Sequence, residues 1–231
     1  VFGNDLVATA ASLPYLGSLD YVTLHPGAAV HEQDTFCVIA PGTGLGQAVL
    51  YRDPGRTVLL GSDGGHADFA PRTEREIDLL RYLTAKFGRV SIERIISGPG
   101  ILNIYSFLRD TKFAPESADL AEAIRLVDPS AAIGEAALKG VDPLATETLS
   151  IFMNILGAHA GNMMLTYLAS GGIYLAGGIP GKILELLKAG DIVSSYLAKG
   201  RLSPLVEATP LYVVKDPLTG LHGAAYLASE M

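Results

Sequence analysis

The chain has 231 residues, 49% of them hydrophobic and 18% charged, with a formal net charge of −7. That is enough apolar material for a packed core and too little charge for a disordered polymer. The acidic balance excludes the basic face that a nucleic-acid backbone demands, but not a small anion, which backbone N–H groups and helix ends can bind locally.

Val1-Phe2 reads as the end of a strand, and the opening without Met suggests that residues stand upstream. After Asn4-Asp5 a helix-like run extends from Leu6 to Leu13. Thr35–Ala40, Gln47–Arg52 and Thr57–Leu60 are predicted strands joined by Pro41-Gly42-Thr43-Gly44-Leu45-Gly46 and by Asp53-Pro54-Gly55-Arg56, a three-stranded antiparallel meander. The single cysteine, Cys37, lies within the first of these strands as a small apolar residue. It has no partner for an internal disulfide, which suits a reducing, cytoplasmic setting.

Helices dominate the middle. Thr73–Phe87 carries Thr73 as N-cap with Glu76 three residues on, a capping box. Ile101–Arg109, Asp119–Leu126, Ala131–Lys139 and Pro143–Ala169 follow. The last has the length of a membrane span, but Asn154, His159 and Asn162 recur along it, so it reads as a buried core helix rather than a bilayer segment. Gly172–Ala176 and Pro210–Val214 are predicted strands, Ile183–Lys188 and Gly223–Ser229 helices. The order implies an α/β fold: a mixed sheet flanked by helices.

Five constellations could carry chemistry. Asp5 falls where strand gives way to helix, a place where ligand groups gather; it suits a general base, or a plain helix cap. Gly42-Thr43-Gly44 lets backbone N–H groups crowd a phosphate, but glycine also serves hairpins for their own sake. Gly61 to Pro71 concentrates Asp63, His66 and Asp68. A metal would want more His or Cys, whereas sugar hydroxyls fit Asp, His and an approachable Gly-Gly backbone. Glu93, ahead of Ser97-Gly98-Pro99-Gly100, reads by itself as a solvated charge at a helix end. Gly177-Gly178 sits at a strand-to-helix turn able to receive a nucleotide, and Gly220 to Ala225 repeats the style.

Together and in this order, these strings resemble the bacterial glucokinase family, within the sugar kinase, actin and Hsp70 ATPase superfamily. Asn4-Asp5, Gly42 to Gly46, Gly64-Gly65-His66 with Asp68-Phe69-Ala70-Pro71, Glu93-Arg94 with Ser97 to Gly100, Ala176 to Ile179 and Gly223-Ala224-Ala225 span the chain. The resemblance implies a ribonuclease H-like, actin-like ATPase fold that phosphorylates glucose at its 6-hydroxyl from ATP with Mg²⁺. It makes Asp5 the catalytic base and Asn4, Asp63, His66 and Glu93 sugar ligands. Gly42, Thr43 and Gly44 would face the phosphates, and Gly177 and Gly178 the adenosine. A homodimer, no resident protein-bound metal, and no nucleic-acid or membrane partner are expected.

Two departures qualify the likeness. Asp63 stands where the family carries Glu, one methylene longer. The family's opening Asp-x-Gly-Gly-Thr phosphate loop is absent, so residues 1–231 are expected to be the large C-terminal domain, inactive alone, without most of the small N-terminal one. The zinc-binding His and Cys cluster of the related repressor group is also missing, which places the chain in the zinc-free branch. The rival expectations are a sugar-binding regulator without catalysis, a kinase for mannose or an N-acetylated sugar, and an actin-like structural ATPase.

Overall fold

The computed structural model describes residues 5–27, 34–53, 55–216 and 218–229. Among them six strands form one sheet: β1 (Tyr21–His25), β2 (Asp34–Pro41), β3 (Leu45–Asp53), β4 (Arg56–Ser62), β5 (Gly172–Leu175) and β6 (Leu211–Val214). Their spatial order is β1-β6-β5-β2-β3-β4. β2, β3 and β4 pair antiparallel, as the meander predicts, while β2–β5 and β5–β6 are parallel. β1, which the sequence patterning did not reveal, closes the far edge antiparallel to β6.

The helices are α1 (Asp5–Ser12), α2 (Glu74–Phe87), α3 (Gly98–Asp110), α4 (Ala118–Leu126), α5 (Pro129–Lys139) and α6 (Pro143–Tyr167). Short ones follow: α7 (Gly178–Lys182), α8 (Leu184–Ala189), α9 (Ile192–Leu197), α10 (Ser203–Glu207) and α11 (Thr219–Ser229). The expected helix over 183–188 therefore has α7 directly before it, and α9 and α10 add turns that the patterning missed. α6 stops two residues before Ala169 because Leu168 turns into the left-handed region, φ 49°. α3 starts three residues before Ile101, because Ser97 Oγ accepts from Gly100 N at 3.1 Å and caps it there.

An apolar run buried on both faces marks a central strand, and β2 shows why. Phe36 and Val38 pack with Ala10 and Leu13 beside α1. Cys37 and Ile39 point to the opposite, larger core, which holds Ile104 of α3 and Phe152 of α6. Burial pushes the Cys37 thiol up to about 12, so it stays protonated and behaves as an apolar filler.

The capping box on α2 is half realised. Thr73 Oγ1 accepts from Glu76 N at 3.2 Å, but the Glu76 carboxylate accepts from Arg72 N at 2.6 Å and from the Arg72 guanidinium at 3.3 Å. A buried carboxylate gains more from a cation than from one further amide, so it reaches one residue past the cap.

His159 of α6 bonds Gln47 of β3 across the core at 2.7 Å. Burial, and then the nearby Lys199 ammonium, push the imidazole down to about 4. The unfolded chain binds that proton near pH 6.5 and the native state only near 4, so stability falls as pH drops through this window and levels off below it. Acid titration of Tm should show a loss of up to about 3 kcal/mol from this group, and His159→Gln should remove that part of the slope. An unchanged slope in the variant would assign it to other groups.

Candidate active site

Asp5, the first residue of α1, is exposed, with Leu6 N donating to its Oδ1 at 2.9 Å. The bond comes from the adjacent residue rather than from two or three positions on, as a cap would have it. Asn4, predicted beside it as a sugar ligand, lies outside the described residues, as does the strand end at Val1-Phe2.

Three glycines let the predicted pieces converge on Leu45 and Gly46. A methyl on Gly46 would meet the Leu6 side chain at 2.6 Å, one on Gly44 the Glu93 carboxylate at 2.8 Å, and one on Gly65 the Leu45 carbonyl at 2.3 Å. Real Cβ contacts do not come so close. The start of α1, the Gly42–Gly44 turn, the Gly64–His66 turn and Glu93 are thus stacked around Leu45 and Gly46. The hairpin glycines do more than relieve a turn.

Around the sugar-ligand candidates the groups remain reachable. Asp63 is exposed at the head of a 3₁₀ turn over Gly64–His66 and makes no capping bond to it. His66 Nδ1 lies 3.8 Å from Glu93 Oε1. Glu93 Oε2 accepts from Leu45 N at 3.0 Å, so Glu93 is a partnered group and not the solvated helix-end charge that its sequence context alone suggested. Asp68 is committed elsewhere: Arg89 Nε donates to its Oδ1 at 2.8 Å and Arg89 Nη2 to the His66 carbonyl at 2.5 Å. That pair shapes the turn from below and leaves His66 facing Glu93.

Two clefts meet beside the glycines expected to face the nucleotide. One of about 740 Å³ is lined by Asp5, Gly177, Gly178, Lys182, Asp216 and Gly220, among others. A second of about 560 Å³ is lined by Gly42, Thr43, Gly178, Lys182 and the N-terminal turns of α3 and α5. Gly177 lines the first: its φ of 81° and a would-be Cβ only 2.9 Å from the Pro41 carbonyl admit only glycine there. Gly178 and Lys182 belong to both clefts. Lys182 escaped the motif reading because a lone lysine after a turn carries no spacing signal. Asp128, at the α5 end of the second cleft, is held below the usual carboxylate range by the Ser130 hydroxyl and then the Ala131 amide.

A mixed sheet with a leading hairpin meander, a carboxylate at one cleft edge and glycine turns at its floor defines an actin-like ATPase fold of the sugar-kinase class. The glucokinase family model matches residues 2–231. The chain belongs to the glucokinase family, whose chemistry is ATP-dependent phosphorylation of glucose. A glucokinase of Nostoc punctiforme is 43% identical over 99% of this chain and 70% of its own length. A glucokinase from an Antarctic psychrotroph has TM-score 0.87 at 31% identity, over 99% of this chain and 68% of that one. The fold is shared more distantly by a ROK-family glucokinase from Streptomyces griseus solved with glucose and AMPPNP, TM-score 0.62 at 18% identity, over all of this chain and 68% of that one.

No helix among the described residues is long and apolar enough to cross a membrane.

Proposed function

We propose that this chain is the large domain of a cytoplasmic glucokinase, carrying its catalytic base and most of its sugar- and nucleotide-binding groups. The observation that supports it best is the convergence on Leu45 and Gly46 of four separate pieces: the start of α1, the glycine turn, the Gly64–His66 loop and Glu93.

The donor is Mg·ATP, its ion arriving as counter-ion of the triphosphate, which suits a metal that keeps several waters and takes few protein carboxylates. The phosphates lie along Gly42, Thr43 and Gly44, and the adenosine lies beyond Gly177 and Gly178. Asn4, Asp63, His66 and Glu93 hold the hexose ring so that its 6-hydroxyl faces the γ-phosphorus. The hydroxyl oxygen forms the new P–O bond as the bond to the ADP oxygen breaks, and the hydroxyl proton passes to the Asp5 carboxylate. A loose transition state leaves the protein the tasks of positioning and charge stabilisation. Asp63 is short by a methylene, so its hydrogen bond to the sugar requires a slightly closer ring. A homodimer is part of the proposal, carried over from the family likeness.

The test is ADP release with Mg·ATP against a panel of hexoses, using the gene product that carries this chain. Turnover with glucose well above mannose, fructose and N-acetylglucosamine is expected. Turnover with another hexose alone would move the substrate; saturable sugar binding without ADP release would replace the enzyme by a regulator. The chain of residues 1–231 by itself is expected to be inactive in the same assay.

A further inference from the structure

Glu93 stands between the two substrates. Its Oε1 faces His66 on the sugar side at 3.8 Å, while its Oε2 accepts from Leu45 N at 3.0 Å, directly behind the Gly42–Gly44 turn. The backbone around it grips the same turn. Gly98 N donates to the Gly42 carbonyl at 2.8 Å, and Gly42 N to the Gly44 carbonyl at 2.8 Å. Ser97, which caps α3, donates to the Glu93 carbonyl at 2.6 Å. Residues 93–98 therefore form one short strut, with a sugar ligand at one end and a clamp on the phosphate turn at the other.

The geometry points to a second role for Glu93: it is a positioning residue for the nucleotide's phosphate turn, through its Oε2 bond to Leu45 N, in addition to the sugar contact of its Oε1. The inference rests on the assignment of Gly42–Gly44 to phosphate and of Glu93 to sugar. A bond from a carboxylate to a backbone amide is among the stronger hydrogen bonds, and the turn it holds is built of glycine, whose backbone is otherwise the least constrained. Without the bond, the turn's N–H groups must be ordered by the nucleotide itself, and that ordering is drawn from binding energy. The consequence is unusual for a sugar ligand: its loss weakens nucleotide binding when no sugar is present.

Two variants separate the roles. Glu93→Gln keeps a side-chain oxygen able to accept from Leu45 N but replaces the oxygen that faces the sugar with an amide. Glu93→Ala keeps neither. Fluorescent ADP should be titrated without glucose, and glucose without nucleotide, on the gene product carrying this chain, with Tm recorded for each variant. Glu93→Ala is expected to weaken ADP about tenfold, the loss of one charge-assisted hydrogen bond, and Glu93→Gln to stay within about twofold of the parent. Both should weaken glucose by about tenfold or more. Gly44→Ala tests the strut from its other end: a methyl 2.8 Å from Oε2 must displace the Glu93 carboxylate, so glucose affinity should fall although no sugar ligand is substituted. If Glu93→Ala loses glucose but binds ADP as the parent does, the positioning role is overturned. Parent-like glucose affinity in Gly44→Ala overturns it equally. A protein that never binds glucose would instead fail the functional assignment, and the ADP titration would still decide the role of Glu93 at the turn.

Discussion

Replacing Asp5 by Asn in the gene product is expected to cut kcat by about 10²–10⁴-fold, the usual weight of a general base, while glucose affinity stays within about twofold. The substitution is nearly isosteric. Asn offers the same side-chain oxygen to Leu6 N, the bond that Asp5 Oδ1 accepts at 2.9 Å, so α1 begins as before. What disappears is the group proposed to take the proton as the 6-hydroxyl attacks. Uniform binding is untouched, so the loss should fall on kcat and equally on kcat/KM. A capping role alone, which Asn fills as well as Asp, would leave both Tm and kcat near those of the parent. Steady-state rates with saturating glucose separate the two, with a thermal melt to check the fold, and a near-normal kcat would remove Asp5 from the chemistry.

Much of the fold was legible because its signals are local. The strands of the meander announce themselves by apolar runs between glycine turns, and β2 pairs β3 from Asp34↔Arg52 to Pro41↔Leu45, one residue beyond each predicted end of the first strand and two before the predicted start of the second. β1 was not legible because Tyr21–His25 is only partly buried at a sheet edge and pairs with β6, almost two hundred residues away. No local pattern encodes such a partner.

The candidate site divides in the same way. Asp5, His66 and Glu93 could be named from short strings, but what Glu93 touches depends on a bond to Leu45, 48 residues back. Its sequence context alone favoured a solvated charge, and tertiary placement reversed that. Lys182, the last residue of α7, and Asp216, just after β6, line the Asp5 cleft from strings that resemble an ordinary short helix and loop. Gln47 was predicted only as a strand residue, although its amide reaches His159 and crowds Gly64 from beneath the sugar loop.

The second large effect is expected at Gly223. It lies on α11 where that helix packs along α1, and a Cβ built there would sit 1.7 Å from the Ala8 carbonyl oxygen and 2.6 Å from the Ala8 carbonyl carbon. Gly223→Ala sets two effects against each other. In a helix interior alanine is favoured over glycine by about 1 kcal/mol, which alone would stabilise the protein. The contact, however, is with the backbone of another helix, which cannot swing aside as a long side chain can. To reach an ordinary separation near 3.4 Å the two helices must part by more than 1 Å along their seam, and overpacking of that kind costs roughly 1–3 kcal/mol or more. Sterics should win, leaving a net loss of about 2 kcal/mol and a Tm lower by several degrees for a chain of this size. The displacement is also directional. Ala8 belongs to the first turn of α1, so Asp5 moves with it relative to Gly177, Gly178 and Gly220, which line the same cleft. Catalysis should therefore fall further than the folded fraction at assay temperature explains, with kcat lowered at 15 °C where the variant remains folded. A variant with unaltered Tm and unaltered kcat would mean that α1 and α11 are not packed this closely in solution, and the placement of Asp5 by that seam would fall with it.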